Sequence, residues 1–556
     1  MAVAGCGDDG PADNTPAPDF ELTVTPAVLL TVAGASNSGT VTIDRTNFTD
    51  EVTLELLNPP AGISAFFDPT PVSAGASALV VSAAEAAVPG DYQLTIQGTA
   101  AGPGVRTATL TVTVPHPPTG DEVAYLFCDP EDVPDYFAYQ DGAGIWKTVT
   151  GVTTGAVTSF PFNLSQGYGG VLMVFRNEAA VRAIGRNGGR MTNLLRSDPG
   201  RSGPLSQLRA FSGMGTAALA DVYYTWLLYG SGAELALDGL VACAQDPPVK
   251  TIFGTVSGVA AGEYGIVSVG GITEIFDGAA PSNPMTFSDV PAGPVDLVGS
   301  RTTPGQPPER ILLIRSLSLA PGETLASGIN FAGSGSSEPA TAAATVTGGG
   351  GDDLEIFVDL VTANGQAGMW FELSSSPDAN RVWAGLSPTV MQSSDLHGLF
   401  VFASATDGSG FRHSIKYVGP VEDQALVLGP VIDAATASQL DGGPYPRFRF
   451  QGDLPAEYDK RLTIDVFRSP GPGNIYSILA TGAWLAAAGS LEAFDIAMPD
   501  VAGLAGFPAV ARLPAGTNDV VVSAAGWRNG PGIFDLRPTL GAEHQESTRY
   551  GTITVP

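Results

Sequence analysis

Carboxylates are the residues this chain supplies most freely for chemistry. Paired glycosidase carboxylates need only to be held roughly 5–10 Å apart, and the 556-residue sequence carries 56 Asp and Glu. Outside the N-terminal segment, the densest group is Asp129, Glu131, Asp132 and Asp135, beside Cys128. Crowded hard oxygens of this kind suit Ca²⁺, but the alternating Asp-x-Asp-x-Asp-Gly spacing that wraps a loop around the ion is missing. A solvated acidic turn is therefore expected. The four histidines, His116, His397, His413 and His544, fall in separate segments and form no His-Glu-x-x-His zinc motif. Glu543-His544-Gln545-Glu546 sets three polar ligands side by side, and at that spacing it reads as a solvated turn in a C-terminal loop.

Other chemistry is harder to find. There is no Gly-x-Ser-x-Gly elbow and no Ser-x-x-Lys, two common signatures of hydrolases outside the cytoplasm. Neither a phosphate-binding loop with its lysine nor a dinucleotide fingerprint is present. Gly348-Gly349-Gly350-Gly351 precedes Asp352-Asp353 without a lysine or a helical pattern, so it reads as a loop. Tryptophans Trp146, Trp226, Trp370, Trp383, Trp484 and Trp527 could stack sugars, but in β-sandwiches they serve more often as core. The aromatic window from Tyr223 to Tyr229 reads first as a central strand. No catalytic residue, no cofactor and no metal ligand is assigned from the sequence.

Cysteine use points to a location. Val3-Ala4-Gly5-Cys6 resembles a bacterial lipoprotein processing site, in which an aliphatic residue and two small ones precede the cysteine that becomes lipidated. The Pro-rich polar run from Gly7 to Pro18 suits a flexible tether. Only Met1 and Ala2 precede the box, whereas a signal peptide needs a basic region and about 7–15 apolar residues. The natural start is therefore expected upstream, the alternative being an ordinary cysteine. The resemblance implies a lipid-anchored protein of the bacterial cell envelope, at the outer membrane or cell surface. Cys128 and Cys243 lie near the two ends of one segment. Outside the cytoplasm such a pair tends to form a disulfide, and two buried free thiols are the alternative.

Composition excludes several partners. With 26 Lys and Arg against 56 Asp and Glu, the net charge is −30. That argues against nucleic acid, whose binding needs cationic side chains, and against adsorption to an anionic bilayer. No run reaches the roughly 18–20 uninterrupted apolar residues of a membrane helix. The most apolar stretch, 475–491, is broken by Gly482, Gly489 and Ser490 and reads as a buried strand and its following loop. Attachment to a membrane would rest on Cys6 alone.

With 70 Gly and 44 Pro and only 15% charged residues, the chain is rich in turns and poor in helix formers. Its length implies several domains. The fold class expected is all-β, a multidomain array of β-sandwiches whose second unit also holds one or more short helices. After a tether over 1–18, the segment 19–115 shows seven alternating runs, at 20–24, 40–43, 52–56, 63–67, 78–81, 92–96 and 107–112. Turn residues separate them, which is the pattern of an immunoglobulin-like sandwich. Pro60-Ala61-Gly62-Ile63, Phe67-Asp68-Pro69 and Pro89-Gly90-Asp91-Tyr92-Gln93-Leu94-Thr95-Ile96 resemble the Ig-like modules of bacterial surface proteins. The resemblance implies a spacer or binding module without catalytic residues.

Pro115-His116-Pro117-Pro118 reads as a stiff linker to a β-rich unit over 119–247, with a helix expected at 233–242. The unit 249–332 follows. Its Phe287-Ser288-Asp289-Val290-Pro291-Ala292-Gly293 resembles the carboxypeptidase-regulatory-like, transthyretin-like β-sandwich, although Val295 stands where that family has Tyr. Gly333-Ser334-Gly335-Ser336-Ser337-Glu338-Pro339 reads as a flexible joint. Two more β units are drawn at 340–446 and 447–556, and no fixed repeat is evident. The functional expectation is a non-enzymatic, surface-exposed envelope component with a structural, adhesive or assembly role. Other envelope proteins, self-association through unpaired edge strands or a surface glycan are the partners to consider. A carbohydrate-binding accessory protein and an acid-base hydrolase are the alternatives.

Overall fold

The computed structural model describes residues 17–31, 36–114, 122–127, 130–176, 223–241, 249–317, 324–369, 380–468, 474–529 and 539–556, apart from isolated positions and pairs within these stretches. Cys6, Cys128 and Cys243, the linker around His116, the joint at 246–248 and the Arg- and Gly-rich segment at 179–214 lie outside the described residues. The fold is all-β, an array of β-sandwiches with two short helices among the described residues.

Alternation builds the N-terminal sandwich. In strand Asp19–Thr25, Phe20, Leu22 and Val24 are buried while Glu21 and Thr23 face water, as period-2 side-chain projection requires. Two four-stranded sheets face each other. One orders Asp19–Thr25, Ser36–Thr46, Ala76–Ala83 and Ile63–Asp68, and the other orders Val28–Leu30, Gly104–Val114, Gly90–Ala100 and Thr53–Leu57. The unit has one strand more than the seven expected. Past Pro26 the chain switches sheets, and Val28–Leu30 pairs parallel with Gly104–Val114. This three-residue piece is too short to declare itself by alternation.

The unit from Val249 is a second sandwich, with a three-stranded and a five-stranded sheet closed over Ile252, Val267, Phe287, Leu297 and Phe331. The joint expected at 333–339 is ordered. Ser336–Ser337 pairs with Ile311 and Leu312, and Ser336 Oγ donates to the Phe331 carbonyl at 2.7 Å. Arg310 caps it, donating from Nη2 to the Ser336 carbonyl at 3.0 Å. Gly/Ser composition signalled flexibility, but the backbone found a sheet edge to complete.

The remaining segments share one twelve-stranded sheet. Its order is Trp146–Thr148, Tyr136–Asp141, Tyr168–Arg176, Tyr223–Ser231, Ile475–Thr481, Arg461–Phe467, Gly516–Arg528, Glu543–Val555, Gly410–Val418, Leu396–Ser404, Asp353–Thr362 and Gly365–Met369. Hydrogen bonding thus crosses the divisions drawn at 247 and 446. The one parallel pairing in the sheet, Tyr224–Tyr229 with Ile475–Ala480, joins the second segment to the last. The aromatic window at 223–229 is an interior strand, as expected.

Each of those two parallel strands runs directly into a helix. Helix α1 (Gly232–Val241) follows Ser231, and helix α2 (Gly482–Ala487) follows Thr481. Ser231 and Glu234 form a reciprocal capping box. Thr481 Oγ1 accepts from the Trp484 N–H and donates to Glu234 at 2.7 Å, so the two strand–helix units are bonded to each other. The expected loop after the apolar strand at 475 is therefore a short helix, nucleated by its threonine cap.

Three-stranded sheets cover the large one. Phe448, Phe450, Phe494 and Ile496 close one core over Leu462, Ile464 and Val522. On the opposite face, Tyr125, Phe160 and Phe162 pack against Met173, Leu228 and Phe467. Toward the far edge, Trp383, Val346 and Leu426 close over Ile356 and Val401. The glycine run at 348–351 is a loop, and Gly348 has a φ of +87°. A Cβ there would lie 2.6 Å from the Leu428 carbonyl oxygen, so the turn demands glycine.

His397 is fixed by two backbone groups. Its Nε2 accepts from the Leu386 N–H at 2.9 Å, and Nδ1 faces the Gly419 carbonyl at 2.7 Å and donates to it. Burial holds the ring below the ordinary histidine range, with the Gly419 carbonyl and Asp395 pulling the other way. The unfolded chain therefore takes up this proton first, and stability is complete above about pH 6.5 and lost as pH falls below it. His397→Leu is expected to cost about 1–3 kcal/mol at pH 7.5, because two buried backbone groups lose partners, and to abolish that part of the acid sensitivity. Urea midpoints at pH 7.5 and 5.5 check both.

Candidate metal centre

Four neighbouring strands of the large sheet carry the site: Arg461–Phe467, Gly516–Arg528, Glu543–Val555 and Gly410–Val418. Residues two apart in a strand share a face, so His544 and Glu546 project to one side. Register places Glu546 opposite His413 on one neighbour and opposite Ala525 on the other. Ala525 in turn faces Arg461. Over that small side chain Arg461 reaches Glu546, Nη2 to Oε2, at 3.0 Å. His544 lies opposite Ile415 and Trp527, with its ring 4.7 Å from that of Trp527.

Two imidazoles and one carboxylate thus converge. Donor atoms of His413, His544 and Glu546 all lie within 4.8 Å of one another. The imidazole centroids are 5.3 Å apart, and His413 Nε2 is 4.0 Å from Glu546 Oε2, beyond hydrogen-bond reach. All three are buried, at 1%, 2% and 3% exposure for His413, His544 and Glu546. Both ring nitrogens of His413 and Nδ1 of His544 have no hydrogen-bond partner among the described residues. Orphaned polar atoms at such depth cost about 1–3 kcal/mol each.

Burial disfavours the protonated form of both rings. Burial pushes His413 down, Glu546 opposes this and Arg461 reinforces it. His544 is held well below the ordinary range by burial, by His413 and by Arg461. Neutral imidazole is the form that ligates metal. The same sheet face continues through Ser523 and Thr548, whose hydroxyls are 2.8 Å apart, to Asp465, which accepts from Ser477 at 2.5 Å. This polar band separates the aromatic core around Phe160 from a smaller cluster of Phe357, Phe400, Ile415 and Tyr417.

The segment 543–546 is thus not the solvated loop expected from sequence. It opens a thirteen-residue strand with five consecutive buried residues, His544 to Thr548. Polar side chains hid it, because they show no apolar alternation. The i, i+2 spacing of His544 and Glu546 was the one local signal, and His413 enters only through register. No metal ligand was assigned from the sequence; the fold brings together these three metal-capable side chains.

Elsewhere, the acidic group beside Cys128 brings no metal-capable set together among the described residues. Glu131 and Asp135 are exposed, Asp132 is buried in the 3₁₀ turn Pro130–Asp132, and Asp129 lies outside the described residues. Asp135 faces Arg176 at 3.6 Å. His413, His544 and Glu546 are the one metal-capable group among the described residues. The described tryptophans are buried or half-buried: Trp383 packs against His397, Trp484 stacks on Tyr229 at 4.5 Å and Trp527 on Tyr417 at 6.5 Å. Trp370 lies outside the described residues.

No protein-family model and no curated protein matches the chain. Solved structures resemble it at low scores. Domains 4 and 5 of the S-layer protein SbsC align at 14% identity and a TM-score of 0.15 over 18% of this chain. The chain spans 54%, about half, of that one. The BIgI domain of the beta protein from S. agalactiae, solved bound to CEACAM1, aligns at 19% identity and a TM-score of 0.14, over 17% of this chain and 97% of that one. A longer SbsC structure, domains 4–9, aligns at 8% identity and a TM-score of 0.15, over 97% of this chain and 82% of that one. Scores at this level carry no argument about activity.

Proposed function

We propose that the chain is a non-enzymatic structural component of the bacterial cell surface, lipid-anchored through Cys6 and engaged with other envelope proteins. The observation that supports this reading most directly is the twelve-stranded sheet. It weaves strands from Tyr136–Asp141 to Glu543–Val555 into one hydrogen-bonded slab, and such a slab resists being pulled apart because many backbone bonds must break together. An Ig-like sandwich precedes it and would serve as spacer or contact module. The surplus of acidic residues over basic ones keeps a surface-exposed protein of this size soluble.

Cross-linking on intact cells, followed by capture and mass spectrometry, tests the proposal, with Cys6→Ala as the control. A near-stoichiometric protein partner that is lost in the Cys6→Ala strain is the expected result. Capture of the chain carrying polysaccharide and no protein partner would overturn it in favour of a glycan-binding accessory protein. Release of the wild-type chain into the medium would overturn the anchoring.

A further inference from the structure

We propose that His413, His544 and Glu546 form a binding site for a single divalent transition ion of the zinc class, which pins the strand Glu543–Val555 to its neighbour Gly410–Val418. The inference is independent of the surface role above. Two neutral nitrogens and one carboxylate oxygen are a donor set that zinc takes in proteins. Calcium and magnesium prefer oxygen ligands throughout.

Three observations converge on the trio. Its donor atoms lie within 4.8 Å of one another. Zinc bonds of about 2.0–2.1 Å bring tetrahedral donors to about 3.3–3.5 Å apart, so binding would draw the three side chains inward. The ring nitrogens of His413 and Nδ1 of His544 are buried with no hydrogen-bond partner among the described residues, and a cation would satisfy them. Register, finally, places the ligands on paired strands, with His413 directly across from Glu546. Their relative position is therefore fixed by the sheet and not by a loop.

Arg461 is the group that needs accounting for. It donates to Glu546 Oε2 at 3.0 Å and competes with a cation for that carboxylate. A carboxylate can serve both, one partner being the ion and the other an outer-shell donor that orients it. Asp465 lies on Arg461's own strand and interacts with it electrostatically, offering a second acidic partner when the ion takes its share of Glu546. With His413 and His544 almost wholly buried, the ion must enter during folding or through transient opening of the sheet. Loading is expected to be slow on the native protein and fast on refolding.

The test uses the full chain, refolded from urea with and without metal. With Co²⁺ as probe, a visible tetrahedral absorption band saturating at one ion per chain is expected, together with quenching of Trp527, whose ring lies 4.7 Å from that of His544. Zinc should raise the unfolding midpoint by about 3 °C or more, and Ca²⁺ should not. Glu546→Gln should weaken Co²⁺ binding at least about tenfold. His413→Phe should abolish it while folding with a midpoint at or above that of the metal-free parent, since an orphaned ring is replaced by an apolar one. Absence of a saturable band in the wild type would overturn the proposal. So would a band that survives unchanged in both variants, because the ion would then sit elsewhere.

Discussion

Replacing Lys250 with alanine is expected to lower the stability of the fold by about 3–5 kcal/mol. Lys250 Nζ lies 2.5 Å from Asp68 Oδ2, and the two side chains are 1% and 2% exposed. Asp68 closes strand Ile63–Asp68 of the N-terminal sandwich, and Lys250 stands at the start of strand Val249–Ser257 of the second sandwich. The pair therefore exists only when the two units are docked. Losing the ammonium removes an adjacent counter-charge from a dry carboxylate, which costs more than the pair itself contributes. Urea unfolding of the full chain at pH 7 checks the magnitude. The double variant Asp68→Leu with Lys250→Met should recover most of the loss, since an apolar pair of similar volume is often equally stable. A single-variant cost under about 1 kcal/mol would mean that the contact is wet. The Lys250→Ala chain should also unfold in two steps, with the N-terminal sandwich separating from the rest.

Asp465→Asn is expected to stabilise the protein by about 3 kcal/mol at pH 8 and to leave it nearly unchanged at pH 4. Burial pushes the Asp465 carboxyl up to about 6, while the Ser477 hydroxyl and Arg461 pull it down. Its folded value lies above its unfolded value, so the native state holds the proton more tightly. The sign follows directly: stability is intact near pH 4, falls as pH rises toward 6, and stays reduced above it. The gap between about 6 and the ordinary 3.8, at 1.36 kcal/mol per pH unit, gives about 3 kcal/mol. Asparagine keeps the hydrogen-bonding shape toward Ser477 and carries no charge at any pH. Urea denaturation at pH 4 and 8 decides the matter. Destabilisation at pH 8 would show instead that Arg461 holds the folded carboxyl below its unfolded value.

Much of the fold was legible where apolar and polar residues alternate. The runs at 20–24, 92–96 and 107–112 declared strands of the first sandwich because one face of each is dry and the other wet. The helix at Gly232–Val241 was legible from its composition. Strand Glu543–Val555 was not, because His544, Gln545 and Glu546 are buried on both faces yet polar. Their burial is decided by neighbours far along the chain, and no local pattern encodes it. Ser336–Ser337 was missed for the opposite reason, since a composition suited to a mobile linker was captured by a sheet edge. The metal-capable trio combines both difficulties: one ligand pair is visible as a two-residue spacing, and the third ligand arrives only through register.

The place of Glu543–Val555 in the sheet also governs how the chain can acquire its structure. This strand is bonded on both sides, to Gly516–Arg528 and to Gly410–Val418, so it is the seam between two parts of the twelve-stranded sheet. Until it has been synthesised, those parts expose facing edges and cannot join. Its pairing with Gly410–Val418 spans more than a hundred residues, so the contact forms late and at a high cost in loop-closure entropy. Assembly of the large sheet therefore waits on this strand, and while it is pending the open edges invite pairing with other chains.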